Sequence, residues 1–162
     1  MDLVDQLRYL VLAAQREGSR RLSAALRPLG TTPAQAEVLT VLREVGRPLS
    51  VRELGGLLVC ETGSPSRLAR STVTAGWVEP VADETDGRVT RLRLTAHGRH
   101  TADRVAQVEA GFREALAGTL PDAAALQPVI EVLRSVVADG PSGQALARRR
   151  AGLAERGVVA GR

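Results

Sequence analysis

Between Ser64 and Gly76 the chain gathers the side chains best suited to grip a polyanion. Ser64, Ser66, Arg67, Arg70, Ser71 and Thr74 share one side of a helical period, with Leu68, Ala69, Thr72 and Val73 on the other. The interval holds two arginines and no acid. Hydroxyl and guanidinium donors without competing carboxylates suit phosphate oxygens and base edges. The positive end of a helix starting at Ser64-Pro65 adds a further preference for anions. Arg88, beside the turn signal Asp86-Gly87, is placed to reach an adjacent minor groove. Arg52 and Arg91 complete the candidate DNA-binding set. Asp83, Glu84 and Asp86 are read as fixing the turn that carries Arg88.

Other reactive types are sparse. Cys60 is the only cysteine, which excludes an intramolecular disulfide and a thiolate zinc cluster. It is a redox candidate by its position ahead of the helix at Ser64. The favoured reading is a small buried hydrophobe in a turn, because no base neighbours it in sequence. His97 and His100 share a helix face, but the nearest carboxylate is Asp103, so no metal site is expected. Trp77 is expected to plug the core. No Ser-His-Asp arrangement, phosphate-binding loop, dinucleotide motif or paired catalytic carboxylates occur, so no enzyme and no cofactor is expected.

These residues need a scaffold, and the periodicity supplies one. Leu3, Val4, Leu7, Leu10, Val11, Ala14, Leu22, Leu26 and Leu29 mark a long amphipathic helix that stops at Pro28 and Gly30. Thr32-Pro33-Ala34-Gln35 is a capping box with proline at the first helical position, and its helix runs to Gly46. Ser50 and Glu53 form a second box, with Leu49 poised to staple onto Leu54, and that helix ends near Leu58. A turn through Val59, Cys60, Glu61, Thr62 and Gly63 precedes the polar-faced helix. The period then becomes that of strands, Trp77–Val81 and Val89–Leu94, with Leu92 and Leu94 alternating against Arg91 and Arg93. Thr95 caps a long helix through Val105, Val108, Phe112 and Leu116. Pro121 opens another, which Pro128 should kink or delay. From Asp139 onward weak periodicity predicts a mobile basic tail containing Arg148, Arg149 and Arg150, either solvated or gripping phosphate.

Composition bounds the rest. At 162 residues, 44% of them hydrophobic, the chain has material for a real core. No apolar run reaches the ~20 residues of a membrane span, and the acidic, amphipathic start does not read as a signal peptide. A reducing cytoplasm is therefore expected. All 22 basic residues are arginine, and asparagine is absent. That pattern fits a GC-rich genome better than general phosphate recognition. Apart from a surplus of four arginines between Gly140 and Arg162, the chain is neutral, so net charge is a poor argument for nucleic acid.

In order and spacing, four segments resemble the MarR (multiple antibiotic resistance regulator) family: Thr32-Pro33-Ala34-Gln35 with Val38-Leu39; Leu49 to Leu54; Ser64-Pro65-Ser66-Arg67-Leu68; and Asp83 to Arg88 followed by Leu92 to Arg99. Pro65, where the family usually has an aliphatic residue, departs from the pattern. The resemblance implies a mainly α fold with a small two- to three-stranded β wing: a winged helix-turn-helix (31–96) between dimerisation helices (1–30 and 97–139), with the tail at 140–162. It also implies a bacterial homodimeric repressor on a pseudo-palindromic double-stranded operator, released by a small aromatic or phenolic effector. Two alternatives stand beside it. One is a regulator that senses oxidation through Cys60; the other is a winged module that binds protein instead of DNA.

Overall fold

In the computed structural model, which describes residues 1–60, 64–83, 86–120 and 122–155, each helix start carries its own reason. The Asp2 carboxylate accepts from the Asp5 N–H to open α1, Leu3–Leu26. A 3-10 turn, Arg27–Leu29, then ends at Gly30. Thr32 and Gln35 cap each other reciprocally at the start of α2, Pro33–Val45, as expected of a capping box. Gly46, at φ 70°, closes it in the left-handed region where a side chain is strained.

The second box, Ser50 with Glu53, opens α3, Val51–Gly55. This helix is shorter than the expected run to Leu58. Gly55 and Gly56 are poor helix formers, and Gly56 serves as its cap. Ser64 caps α4, Pro65–Thr74. Its predecessors Glu61, Thr62 and Gly63 lie outside the described residues, as do Glu84, Thr85 and Pro121.

The strands are β1, Leu49–Ser50; β2, Val78–Ala82; and β3, Thr90–Leu94. They form an antiparallel sheet in the order β1-β3-β2, with Leu49 opposite Leu92 and Val78 opposite Leu94. Leu92 and Leu94 point inward between Arg91 and Arg93, the expected alternation. Thr95 caps α5, Ala96–Ala117. Asp122 caps α6, Ala123–Val137, and the helix continues through Pro128 instead of starting after it.

The core lies where α2, α3, α4, the sheet and the first half of α5 meet. Leu39, Leu49, Leu54, Leu68, Trp77, Val78, Leu92 and Val105 are buried there. Trp77 fills this core as expected. Outside it the picture inverts. Leu26 is the single buried residue of the 24-residue α1, and among its described residues α6 has none. Leu3, Val4, Leu10, Val129 and Val136 are exposed on these two helices.

The mobile tail expected from Asp139 is corrected. Pro141–Glu155 form a seventh helix, α7, and Ala145 is buried. Weak hydrophobic periodicity was the wrong signal, because Arg148 and Arg149 tie α7 to Gly56 and to α2 by polar contacts. Arg156 and Arg162, also assigned to the tail, lie outside the described residues. No helix among the described residues is long and apolar enough to cross a membrane.

Candidate nucleic-acid interface

α4 is anchored by one face and free on the other. Leu68, Ala69 and Thr72 are buried, while Val73 is half-buried. The Thr72 hydroxyl satisfies itself inside the core by donating to the Ala69 carbonyl at 2.7 Å. Ser64, Ser66, Arg67, Arg70 and Thr74 are exposed. Ser64 is partly committed as the cap, accepting from the Arg67 N–H at 3.4 Å. Pro65 reaches its place because Gly55 makes room. A Cβ on Gly55 would come within 2.9 Å of the Pro65 ring. Position 55 was not singled out in sequence, yet it is what lets the unusual proline pack α4 against α3.

Two of the expected contact residues are committed elsewhere. Ser71 is half-buried; its hydroxyl donates to Leu68 O at 2.7 Å and accepts from Gln35 Nε2 at 3.2 Å. It therefore pins α4 to the cap of α2 instead of facing outward. Arg91 is also half-buried, and its Nη1 donates to Glu53 Oε2 at 2.6 Å while its Nε donates to Asp83. It ties β3 to α3 and to the wing loop. Arg52 is exposed and lines a cleft of about 900 Å³ among α2, α3 and α7, whose lining includes no residue of α4.

In the wing, Asp83 and Asp86 hold the turn as expected of them, while Glu84 lies outside the described residues. The Asp83 carboxylate accepts from the Asp86 N–H at 3.0 Å, and Asp86 accepts from the Arg88 N–H at 3.0 Å. Val89 N–H closes the turn onto Asp86 O at 2.9 Å. The acids thus shape the backbone, and Arg88 stands exposed at the tip. Glu53 anchors the base of this arrangement. Burial pushes its carboxyl up, but hydrogen bonds from Ser50 and Arg47 outweigh that and hold it at about 2.

The turn before α4 rests on a residue that the sequence reading passed over. Glu37 on α2 is 8% exposed, and its carboxylate accepts from the backbone N–H groups of Val59 and Cys60, both at 2.8 Å. Its position between the core residues Ala36 and Val38 was the available signal. Cys60 is exposed, which corrects the expectation of a buried hydrophobe. The residue surface is open, yet burial of the thiol and the neighbouring Glu37 carboxylate push it up to about 11. A thiol held protonated is a poor nucleophile toward peroxide. His97 and His100 are exposed, and no group of three or more metal-ligating side chains is assembled among the described residues.

Residues 32–98 match the family described as winged helix DNA-binding domain. No curated protein matches the chain. Among solved structures, E. coli MarR in its apo form is 26% identical, covering 81% of this chain and 96% of its own, with a TM-score of 0.62. A cysteine-to-serine variant of E. coli MarR complexed with operator DNA is also 26% identical, covering 85% and 99%, with a TM-score of 0.71. The organohalide sensing transcriptional regulator RdhR, in its 2,4-dichlorophenol bound form, shares the fold at 13% identity; coverage is 87% and 83%, and the TM-score 0.75.

Proposed function

Because residues 32–98 are a winged helix DNA-binding domain within a chain that has the fold of MarR-family regulators, we propose that this protein is a sequence-specific, double-stranded DNA-binding transcriptional repressor. It acts in the cytoplasm as a homodimer on a pseudo-palindromic operator, and it is a regulator, not an enzyme. The observation that carries the reading is α4 itself. Its inner face is locked into the core, and its outer face offers Ser66, Arg67 and Arg70 with no acid within the helix. Such a helix fits a major groove about 12 Å wide, and Arg88 at the wing tip then approaches the neighbouring minor groove.

The pairing of two copies is supported by the uncovered apolar residues of α1 and α6. Exposure of 81% at Leu3, 76% at Val4 and 71% at Val136 leaves apolar side chains of both helices in water, as at an interaction surface. A two-fold dimer joined through these helices presents two α4 helices to half-sites about one helical turn apart. The domain division follows: 1–30 and 97–139 dimerise, and 31–96 read DNA.

Release is assigned to a small aromatic or phenolic effector, in line with the dichlorophenol bound by RdhR. An effector that prefers the misaligned dimer by about 1–3 kcal/mol lowers operator affinity five- to hundredfold. The elevated Cys60 thiol disfavours oxidation as the input. Two measurements test the proposal: a mobility shift with the duplex upstream of the chain's own gene, and sedimentation of the free protein. Salt-sensitive binding by a dimer is expected. A monomer, or no binding at low salt, overturns it and favours a protein-binding module.

A further inference from the structure

The segment Gly56–Cys60, which leads out of α3 toward α4, is held from two sides by groups distant in sequence. From α2, Glu37 accepts both the Val59 and Cys60 N–H groups. From α7, Arg149 Nη1 donates to the same Glu37 carboxylate at 3.2 Å, and its Nη2 donates to Glu44 at 3.1 Å. Arg148 Nη1 donates to the carbonyl of Gly56, the cap of α3, at 3.0 Å. One helix turn of α7 therefore grips both ends of the five-residue segment that leaves α3 toward α4.

The grip is specified and not incidental. The Arg149 side chain is 23% exposed against 9% for Glu37, so the pair is shielded enough to be worth more than a surface ion pair. The α6–α7 junction is a close approach. A Cβ at Gly143 would stand 2.0 Å from the Val137 carbonyl, so glycine is required for α7 to fold back here.

We propose that Arg148 and Arg149 are positioning residues for DNA recognition: α7 acts as a strap that fixes the link before α4 and so sets the pose of the reading helix. This inference rests on the DNA-binding reading above. The strap touches no DNA. It acts through Glu37, whose carboxylate it keeps oriented on the Val59 and Cys60 amides.

The test uses the full-length chain and two readouts. Hydrogen exchange in the free protein examines the strap without DNA. Arg149→Gln is expected to speed exchange at the Val59 and Cys60 amides by about tenfold, with the core amide of Leu39 unchanged. Arg148→Gln, which leaves the Glu37 pair intact, is expected to speed them less, and Arg149→Lys to restore part of the protection. Operator affinity then examines its use, with a loss of about three- to tenfold expected for Arg149→Gln at an unchanged dimerisation constant. No acceleration at 59 and 60, or equal acceleration at Leu39, overturns the strap. Faster exchange with unaltered operator affinity overturns the positioning role. If the unaltered chain binds no duplex, the functional reading and the positioning role both fall, and the exchange result still decides whether α7 holds the link.

Discussion

Replacing Arg70 by alanine should change how binding responds to salt, and by an amount that the structure allows to be worked out. Arg67, Arg70 and Arg88 are exposed and make no ion pair among the described residues, whereas Arg91 is committed to Glu53 and Asp83. Three cations per module make about six per dimer. Each neutralised phosphate contributes about −0.9 to the slope of log affinity against log salt, so the parent slope is about −5.4. A fourfold rise in salt then weakens binding about 2,000-fold. Arg70→Ala removes two contacts from the dimer, which brings the slope to about −3.6 and the same salt step to about 150-fold. Fluorescence anisotropy of a labelled operator duplex, titrated at four or five salt concentrations, measures both slopes. Arg91→Gln, which removes an arginine bound to its own subunit, should leave the parent slope in place while lowering affinity through a loosened wing. An unchanged slope in Arg70→Ala, or a slope change in Arg91→Gln as large, refutes the sorting of arginines into free and committed.

Three further outcomes follow from individual groups. Glu53 is held at about 2 against an ordinary value of 4.5, so its stabilising contribution is present above pH 4.5 and lost as pH falls toward 2. With its side chain 35% exposed, screening reduces that contribution to about 1–2 kcal/mol. Urea unfolding across this window should show it, and Glu53→Gln should flatten that part of the profile. The Thr31 hydroxyl is buried with no hydrogen-bond partner among the described residues; Thr31→Val should therefore raise stability by about 1 kcal/mol in the same assay, and a loss would show that the hydroxyl is satisfied. Cys60, with its thiol near 11, should react slowly with iodoacetamide at pH 7 and faster as pH approaches 11, and peroxide should leave operator binding unchanged; fast alkylation at neutral pH would contradict this.

What the sequence made legible was what short spacings encode. Both capping boxes, the glycine stops at Gly30 and Gly46, and the alternation of Leu92 and Leu94 depend on neighbours within a few residues, and each stands where the pattern placed it. The outward row of α4 was legible for the same reason, since burial of Leu68 and Thr72 decides which side remains. The partners that remove Ser71 and Arg91 from that row were not. Gln35 lies 36 residues from Ser71, and Glu53 lies 38 from Arg91. α7 is the extreme case. Its alanines, glycines and arginines carry no apolar stripe, and Arg149 finds Glu37 at a separation of 112 residues. Polar pairing at that range has no local signature, so a docked helix read as a tail.

The most direct test is a dimethyl sulfate footprint, because guanine N7 is exposed only in the major groove. On the bound upstream duplex, the α4 assignment predicts protection in two major-groove segments about one helical turn apart on one face. Arg67→Ala should lose part of both. Protein bound with every guanine N7 still reactive would contradict the insertion of α4 on which the account stands.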